Sequence, residues 1–307
     1  IWGGNKLKNI LGKQTEISNV GESWEISDVE GNISIVSNGQ YQGQNLKYLI
    51  KQHKTDILGY KNFENFGNNF PLLIKFLDAK TDLSVQVHPD NIMAKQHHNS
   101  FGKTEMWYIM QAEEDSRLIL GFNKKITTED YKKLLGEKRI MSVLNEVSVE
   151  KGNAFFIKTG TVHAIGAGIV LAEIQQTSDI TYRIYDFDRV DDQGNERDLH
   201  TELAIDALNF SDKIDTERNY TKTKNVLNSV ASCQYFNTNF ISVNNELVLD
   251  YTNTDSFVIF MCVEGSAEIS IFENSETINF GETILIPATA KSVIINSLGC
   301  ELLEVTV

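Results

Sequence analysis

The sequence predicts a mostly β protein of two related barrels, with a few helices inserted in or near the first. Three observations carry this expectation. Short runs rich in Val, Ile, Thr and Phe recur between polar turns, with three prolines among 307 residues, the texture of sandwiches and barrels. A polar stretch at 211–228, with few apolar residues in register, reads as a linker between a domain at 1–210 and a smaller all-β domain at 229–307. The second domain also repeats the first. Gly152, Lys158, Thr159, Gly160 and His163 lie over Gly281, Pro287, Ala288, Thr289 and Ser292 at a constant offset of 129 residues. Trp107–Met110 falls near Phe257–Phe260 at a slightly larger spacing, so the likeness extends past one motif.

Taken in order, Ile33–Ser37, Leu72–Leu77, Leu83–His88, Trp107–Met110, Arg117–Leu120, Ala154–Ile157 and Ile169–Ile174 read as strands. Helical patches interrupt them. Leu46–Leu58 has apolar residues near i, i+3, i+4 spacing, and Pro89–His98 opens on Pro-Asp-Asn, a good helix start. Thr127–Leu135 offers Thr128 as a cap before Glu-Asp, and Thr201–Phe210 is a short amphipathic helix. Within Leu83–Pro89, alternation points Ser84, Gln86 and His88 to one face and Val85 and Val87 to the other. An edge strand that wets one face has the same pattern, so residues further along must decide between the two.

Composition narrows the function. With 42 acidic against 28 basic residues the net charge is -14, which repels nucleic acid and anionic membrane at long range. A phosphorylated ligand must therefore meet a locally cationic site. Neither a signal-peptide pattern nor an apolar run of roughly 20 residues is found, and the expectation is a soluble, cytoplasmic protein without membrane or nucleic-acid partners. Cys233, Cys262 and Cys300 are odd in number and widely spaced, which argues for reduced, mostly buried thiols over a disulfide framework or a thiolate zinc site.

Of six histidines, His53, His97, His98 and His200 have ordinary explanations. His97 and His98 close a helix, where a cation is favourable, His53 sits in a polar helix, and His200 can help the next helix start. His88 and His163 each stand at a strand end beside a turn, and Glu105 stands at the mouth of a strongly β-forming run. A His/His/carboxylate set suits zinc or iron.

These residues sit in motifs that resemble a known family. Ser84-Val-Gln86-Val-His88-Pro-Asp90, Gly102-Lys103-Thr-Glu105-Met-Trp107-Tyr, Gly160-Thr-Val-His163-Ala-Ile and Ser178-Asp179-Ile-Thr-Tyr182-Arg183-Ile-Tyr185-Asp186 look like the short bacterial form of type I mannose-6-phosphate isomerase. Trp2-Gly3-Gly4 and Gly21-Glu22-Ser23-Trp24 look like its N-terminal motifs. The likeness is dense over about residues 1–190 and looser beyond. The spacing from Gly152 to His163 also resembles the second motif of the cupin superfamily, with Lys158 in place of that motif's proline. On this resemblance the two barrels are jelly rolls of cupin type.

The resemblance implies a zinc ion held by Gln86, His88, Glu105 and His163, in an open and exchangeable site. It implies interconversion of mannose 6-phosphate and fructose 6-phosphate by proton transfer through an enediol. That reaction needs an electrophile, a base near the carbon acid and cations for the phosphate. Arg183 matches an arginine that the family places over its active site, and Lys103 and Ser84 match positions of substrate contact. Glu173 aligns with a proposed catalytic glutamate after a one-residue shift; an ordinary carboxylate paired with Arg183 is the competing reading. Asp186 and Asp188 could likewise make the Tyr182-Arg183 run a structural ion-pair strand. Two other functions fit parts of the pattern: a non-haem iron oxygenase using His88, Glu105 and His163 as a facial triad, and a non-catalytic sugar-phosphate-binding protein. The first would not need Gln86, Lys103 and Arg183 together. The repeat places Ser292 where the first barrel has His163, so the second barrel is expected to be metal-free.

Overall fold

The computed structural model describes residues 2–191, 193–211 and 214–307. The chain opens with α1 (Lys6–Asn9), β1 (Glu22–Ile26), α2 (Leu46–His53), α3 (Thr55–Leu58), α4 (Tyr60–Phe66) and β2 (Leu72–Ala79). It continues through β3 (Val85–Val87), α5 (Asn91–His98), β4 (Glu105–Gln111), β5 (Arg117–Phe122), α6 (Thr128–Gly136), β6 (Leu144–Ser148), β7 (Ala154–Ile157), β8 (His163–Ile165), β9 (Ile169–Gln176), β10 (Tyr182–Tyr185) and α7 (Thr201–Ala207). It closes with β11 (Asn228–Ser232), β12 (Asn237–Asp250), β13 (Val258–Ile271), β14 (Asn274–Asn279), β15 (Thr283–Ile286) and β16 (Ser292–Thr306). The fold is mostly β, as the sequence predicts. Among the described residues no helix is long and apolar enough to cross a membrane.

Contacts divide the chain into two compact units. One comprises 1–6, 15–22 and 77–217; the other comprises 7–14, 23–76 and 218–307. In the first, β10, β3, β8, β5 and β6 form a sheet in that order, while β9, β4 and β7 lie side by side in another. Leu77, Leu83, Trp107, Ile109, Leu118, Leu120, Phe155, Ile157 and Leu171 fill one buried cluster. Val85, Val87, Ala164, Tyr182 and Ile184 face a second cluster, completed by Tyr131 of α6 and Ala204 of α7. The two valines of β3 therefore bury against helices, and the polar face of the same strand is free for other work.

In the second unit β11, β12, β16, β13 and β14 form one sheet, with β15 on β13. The internal repeat has a local counterpart in each unit. Strands β7 and β15 span the same positions at the repeat's offset, and the turn glycines before them, Gly152 and Gly281, have φ of +87° and +81°. That left-handed backbone is open to glycine without penalty.

Several local expectations are revised. Ile33–Ser37 forms no strand but a loop with an isolated bridge from Ile35 to Asn45. Ile35 is 66% exposed, so the run has no buried face to hold it. The helix expected over Leu46–Leu58 breaks at Lys54, whose φ of +46° separates α2 from α3. Thr127, not Thr128, caps α6: its hydroxyl accepts from Asp130 N while Asp130 accepts in return from Thr127 N, a full capping box. Residues 216 and 217 inside the expected linker are tied to β7, through Phe156 N to Thr216 O and a bridge from Phe155 to Glu217. Cys262 and Cys300 are buried, Cys233 is partly so, and all three are free thiols.

Candidate metal centre

The sheet order β10-β3-β8 lays three polar residues in one row. Arg183 pairs with Gln86, and Gln86 pairs with His163; residues directly opposite across a ladder project to the same face. On the neighbouring sheet Glu105, at the first position of β4, lies between Ile157 and Gln175. Strand β4 begins two residues earlier than the residue pattern suggests, so Glu105 belongs to the ladder itself. Trp107, two residues on, meets His163 edge-on at 5.4 Å between ring centroids.

His88, Glu105 and His163 are all buried and their ligating atoms converge. His163 Nδ1 lies 2.8 Å from Thr161 O and His88 Nδ1 lies 2.9 Å from Ile180 O. Carbonyl oxygens only accept, so both Nδ1 atoms carry the proton and both Nε2 atoms present lone pairs. Those two Nε2 atoms face each other at 3.2 Å with no proton between them. His88 Nε2 is 3.3 Å and His163 Nε2 3.9 Å from Glu105 oxygens, and neither carboxylate oxygen receives a hydrogen bond. The amide of Gln86 reaches His163 Nε2 at 3.3 Å; turning it over puts its oxygen in that place. Donors about 2.0–2.1 Å from a tetrahedral zinc ion stand about 3.3 Å apart, close to the 3.2–3.3 Å between His88, His163, Glu105 and Gln86 atoms, with only His163 and Glu105 farther apart at 3.9 Å. Four acceptors crowded into a buried space, with their protons pointed away, fit a cation.

The electrostatics agree. Burial, and then the Lys103 charge, push His88 down to about 3, and burial lowers His163 against the pull of Glu105. Burial alone would raise Glu105, but the Lys103 ammonium beside it holds it well below the usual carboxylate range. Lys103 Nζ lies 3.1 Å from Glu105 Oε1, both side chains buried. Two neutral imidazoles beside an ionised carboxylate are the protonation states metal ligands need.

Ser84, Gln86, His88, Lys103, Glu105 and His163 are thus gathered in one unit, with Arg183 beside Gln86. Glu173 is opposite Trp107 on β9, one inward-facing pair past Glu105 and Gln175. It is 3% exposed and accepts from Trp107 Nε1 at 2.9 Å. Arg183 donates from Nη1 to Asp198 O at 2.8 Å, and its Nε is buried without an acceptor. Asp186 pairs with Arg189 and Arg197, and Asp188 with Lys138. His200 is the N-cap residue of α7, but its side chain makes no cap bond; its Nδ1 instead accepts from Arg183 N at 3.1 Å. His98 reaches the Tyr182 hydroxyl at 2.8 Å. The Thr161 and Ile180 carbonyls leave no trace in the residue pattern, because any residue would supply them.

The chain is similar to known proteins along most of its length. Residues 1–104 match the family described as phosphomannose isomerase type I, catalytic domain. Residues 225–307 match mannose-6-phosphate isomerase, cupin domain. A mannose-6-phosphate isomerase of Streptococcus mutans is 35% identical over 297 residues, covering 95% of this chain and 90% of the relative. Mannose-6-phosphate isomerase ManA of Bacillus subtilis is 33% identical over 94% of this chain and 89% of its own. The crystal structure of mannose 6-phosphate isomerase from Bacillus subtilis superposes with a TM-score of 0.89 at 29% identity, covering all of this chain and 96% of that one.

Proposed function

The chain belongs to the type I mannose-6-phosphate isomerase family, and from that premise we propose that zinc held by Gln86, His88, Glu105 and His163 serves its interconversion of mannose 6-phosphate and fructose 6-phosphate. The observation that carries the metal assignment is the pair of unprotonated Nε2 atoms facing each other at 3.2 Å. When bound, the ion supplies Lewis acidity that polarises a sugar hydroxyl or carbonyl.

The remaining work falls to the chain. The Thr161 and Ile180 carbonyls fix both imidazole tautomers. Lys103 balances the Glu105 charge and, with Ser84, is assigned contact with the sugar phosphate on the resemblance of their motifs to the family's. Arg183 carries a fixed positive charge and an unpaired Nε–H beside Gln86, suited to an enediolate or a phosphate oxygen. Proton transfer through an enediol needs a base within reach of the carbon acid. Glu173 is the candidate, with its carboxylate oriented by Trp107. If Glu173→Gln abolishes solvent deuterium exchange at carbon-2 of the sugar while metal content is unchanged, Glu173 is the base. If exchange survives, it orients Trp107 instead. On this reading residues 1–210 carry the chemistry of a cytoplasmic enzyme, and 229–307 are metal-free, since Ser292 replaces the histidine.

Metal analysis with a coupled assay for fructose 6-phosphate tests the whole reading. Stoichiometric zinc with isomerisation supports it. Iron with oxygen uptake overturns it in favour of an oxygenase, and metal without turnover favours a binding protein.

A further inference from the structure

We propose that Asp186 is a positioning residue, gathering Arg189 and Arg197 on one buried carboxylate so that the turn after β10 holds Arg183 at the site. The inference rests on the reading above that Arg183 contacts the substrate.

The turn is a strained one. Phe187 and Asp188 are consecutive non-glycine residues with φ of +57° and +53°. Residues held in that left-handed region persist only where the surroundings over-determine them, and such strain clusters at functional sites. Here the determinants are visible. Asp186 is 5% exposed. Its Oδ1 accepts from Arg189 Nη2 and from Arg197 Nη2 at 2.5 Å, and its Oδ2 accepts from Arg197 Nε at 2.7 Å. Arg189 Nε donates to Asp186 O at 3.1 Å, and its Nη1 donates to Asp82 O at 2.5 Å. The Arg189 guanidinium also lies over the Phe187 ring, 5.4 Å from its centroid.

The two arginines arrive from opposite sides of a small hairpin. Val190 bridges Glu196, and Asp191 N donates to Asn195 O at 2.9 Å. Arg189 and Arg197 flank that bridge, so one carboxylate closes the hairpin's base. The residue after Arg197 then supplies the tether, since Asp198 O accepts from Arg183 Nη1. Two residues further, His200 N donates to Arg183 O at 2.8 Å and His200 Nδ1 accepts from Arg183 N. Arg183 is therefore fixed at its backbone and at its guanidinium by the segment 198–200, which follows the Arg197 that Asp186 anchors.

Charge gives the arrangement a second effect. Although burial favours the neutral acid, Arg197 and Arg189 hold the Asp186 carboxyl below the ordinary aspartate range. Asp186 thus commits its charge to two arginines and leaves the Nε–H of the third for a ligand.

The test is a double-mutant cycle on fructose 6-phosphate affinity in the metal-loaded protein, read by calorimetry, with kcat measured alongside. Arg183→Ala should weaken binding and lower turnover with metal content intact. Asp186→Asn should raise Kd by about 10- to 100-fold in the native background and by less than about twofold in Arg183→Ala, because the two act as one unit. A merely structural role would instead cost the same in both backgrounds. That result, or an Asp186→Asn protein that binds normally, overturns the inference, whereas an Arg183→Ala protein that binds and turns over normally overturns the site reading beneath it. Should Asp186→Asn fail to fold, Arg197→Gln removes one arm of the knot and is taken through the same cycle: a loss confined to the native background supports the inference, and an equal loss in both backgrounds overturns it.

Discussion

Replacing Lys103 with Met should destabilise the metal-free protein and tighten its hold on the metal. Lys103 Nζ and Glu105 Oε1 are 3.1 Å apart with both side chains buried. Removing one partner of a buried pair leaves an uncompensated charge and costs about 3–5 kcal/mol. In the loaded protein a divalent cation takes over the neutralisation of Glu105, and the repulsion between that cation and the ammonium disappears. The cost of the substitution is therefore smaller in the loaded state than in the metal-free one. If half of it is relieved, about 2 kcal/mol, the metal dissociation constant falls about 30-fold. Competition with a chelator of known affinity measures the constant, and thermal melting of the stripped protein measures the destabilisation. Weaker metal binding in Lys103→Met would refute the reasoning, because it would mean that Lys103 supports the ligand set instead of competing with the cation. Turnover should fall in either case, since substrate contact is the role proposed for Lys103.

Two further outcomes follow from the other unit. Glu304 is buried, with Asn239 Nδ2 at 2.6 Å and the Tyr251 hydroxyl at 3.1 Å, and burial raises its carboxyl above the ordinary value of 4.5. The folded state then holds the proton more tightly than the unfolded chain, so this contribution is complete below 4.5 and lost as pH rises through the folded value. Glu304→Gln should match the native protein near pH 4 and be more stable by about 1–3 kcal/mol at pH 8; parallel melting curves across that range would contradict it. Ser292→Ala alters an exposed side chain at the start of β16 and should change stability by less than about 0.5 kcal/mol, with metal content and activity as in the native protein. A loss of metal there would mean that the second unit binds it.

What can be read from the sequence is what strand geometry dictates locally. Alternation alone places Ser84, Gln86 and His88 on one face, and Val85 and Val87 bury opposite them. Motif order supplies Glu105 and His163. The ladder register that sets Gln86 between Arg183 and His163 joins residues almost a hundred positions apart, and no local pattern carries that information. Trp107 and Glu173 can be seen as strand residues, but their hydrogen bond follows only from the β4–β9 pairing. The Asp186 knot is half visible: an ion-pair role for Asp186 is expected, but its partners come from beyond the strand, across a turn whose conformation the residue types Phe187 and Asp188 disfavour. The break at Lys54 is hidden for a related reason, since apolar spacing predicts a face and not the continuity of the helix that presents it.

The tautomers of His88 and His163 are set by main-chain oxygens of Ile180 and Thr161. An acceptor of that kind belongs to the path of the chain and survives every substitution at its own position. Drift at 161 or 180 therefore leaves the proton arrangement of the centre intact, and variation there says nothing about whether a relative still binds metal. The vulnerable position is a neighbour. Gly160 has φ of +82°, and a Cβ there would come within 2.9 Å of Ala207 O. A side chain at 160 would redirect the turn that aims the Thr161 carbonyl and whose Gly160 N–H donates to His88 O at 3.0 Å, so the integrity of this centre is better judged in a new sequence from a glycine that offers no ligating atom than from the residue whose oxygen does the holding.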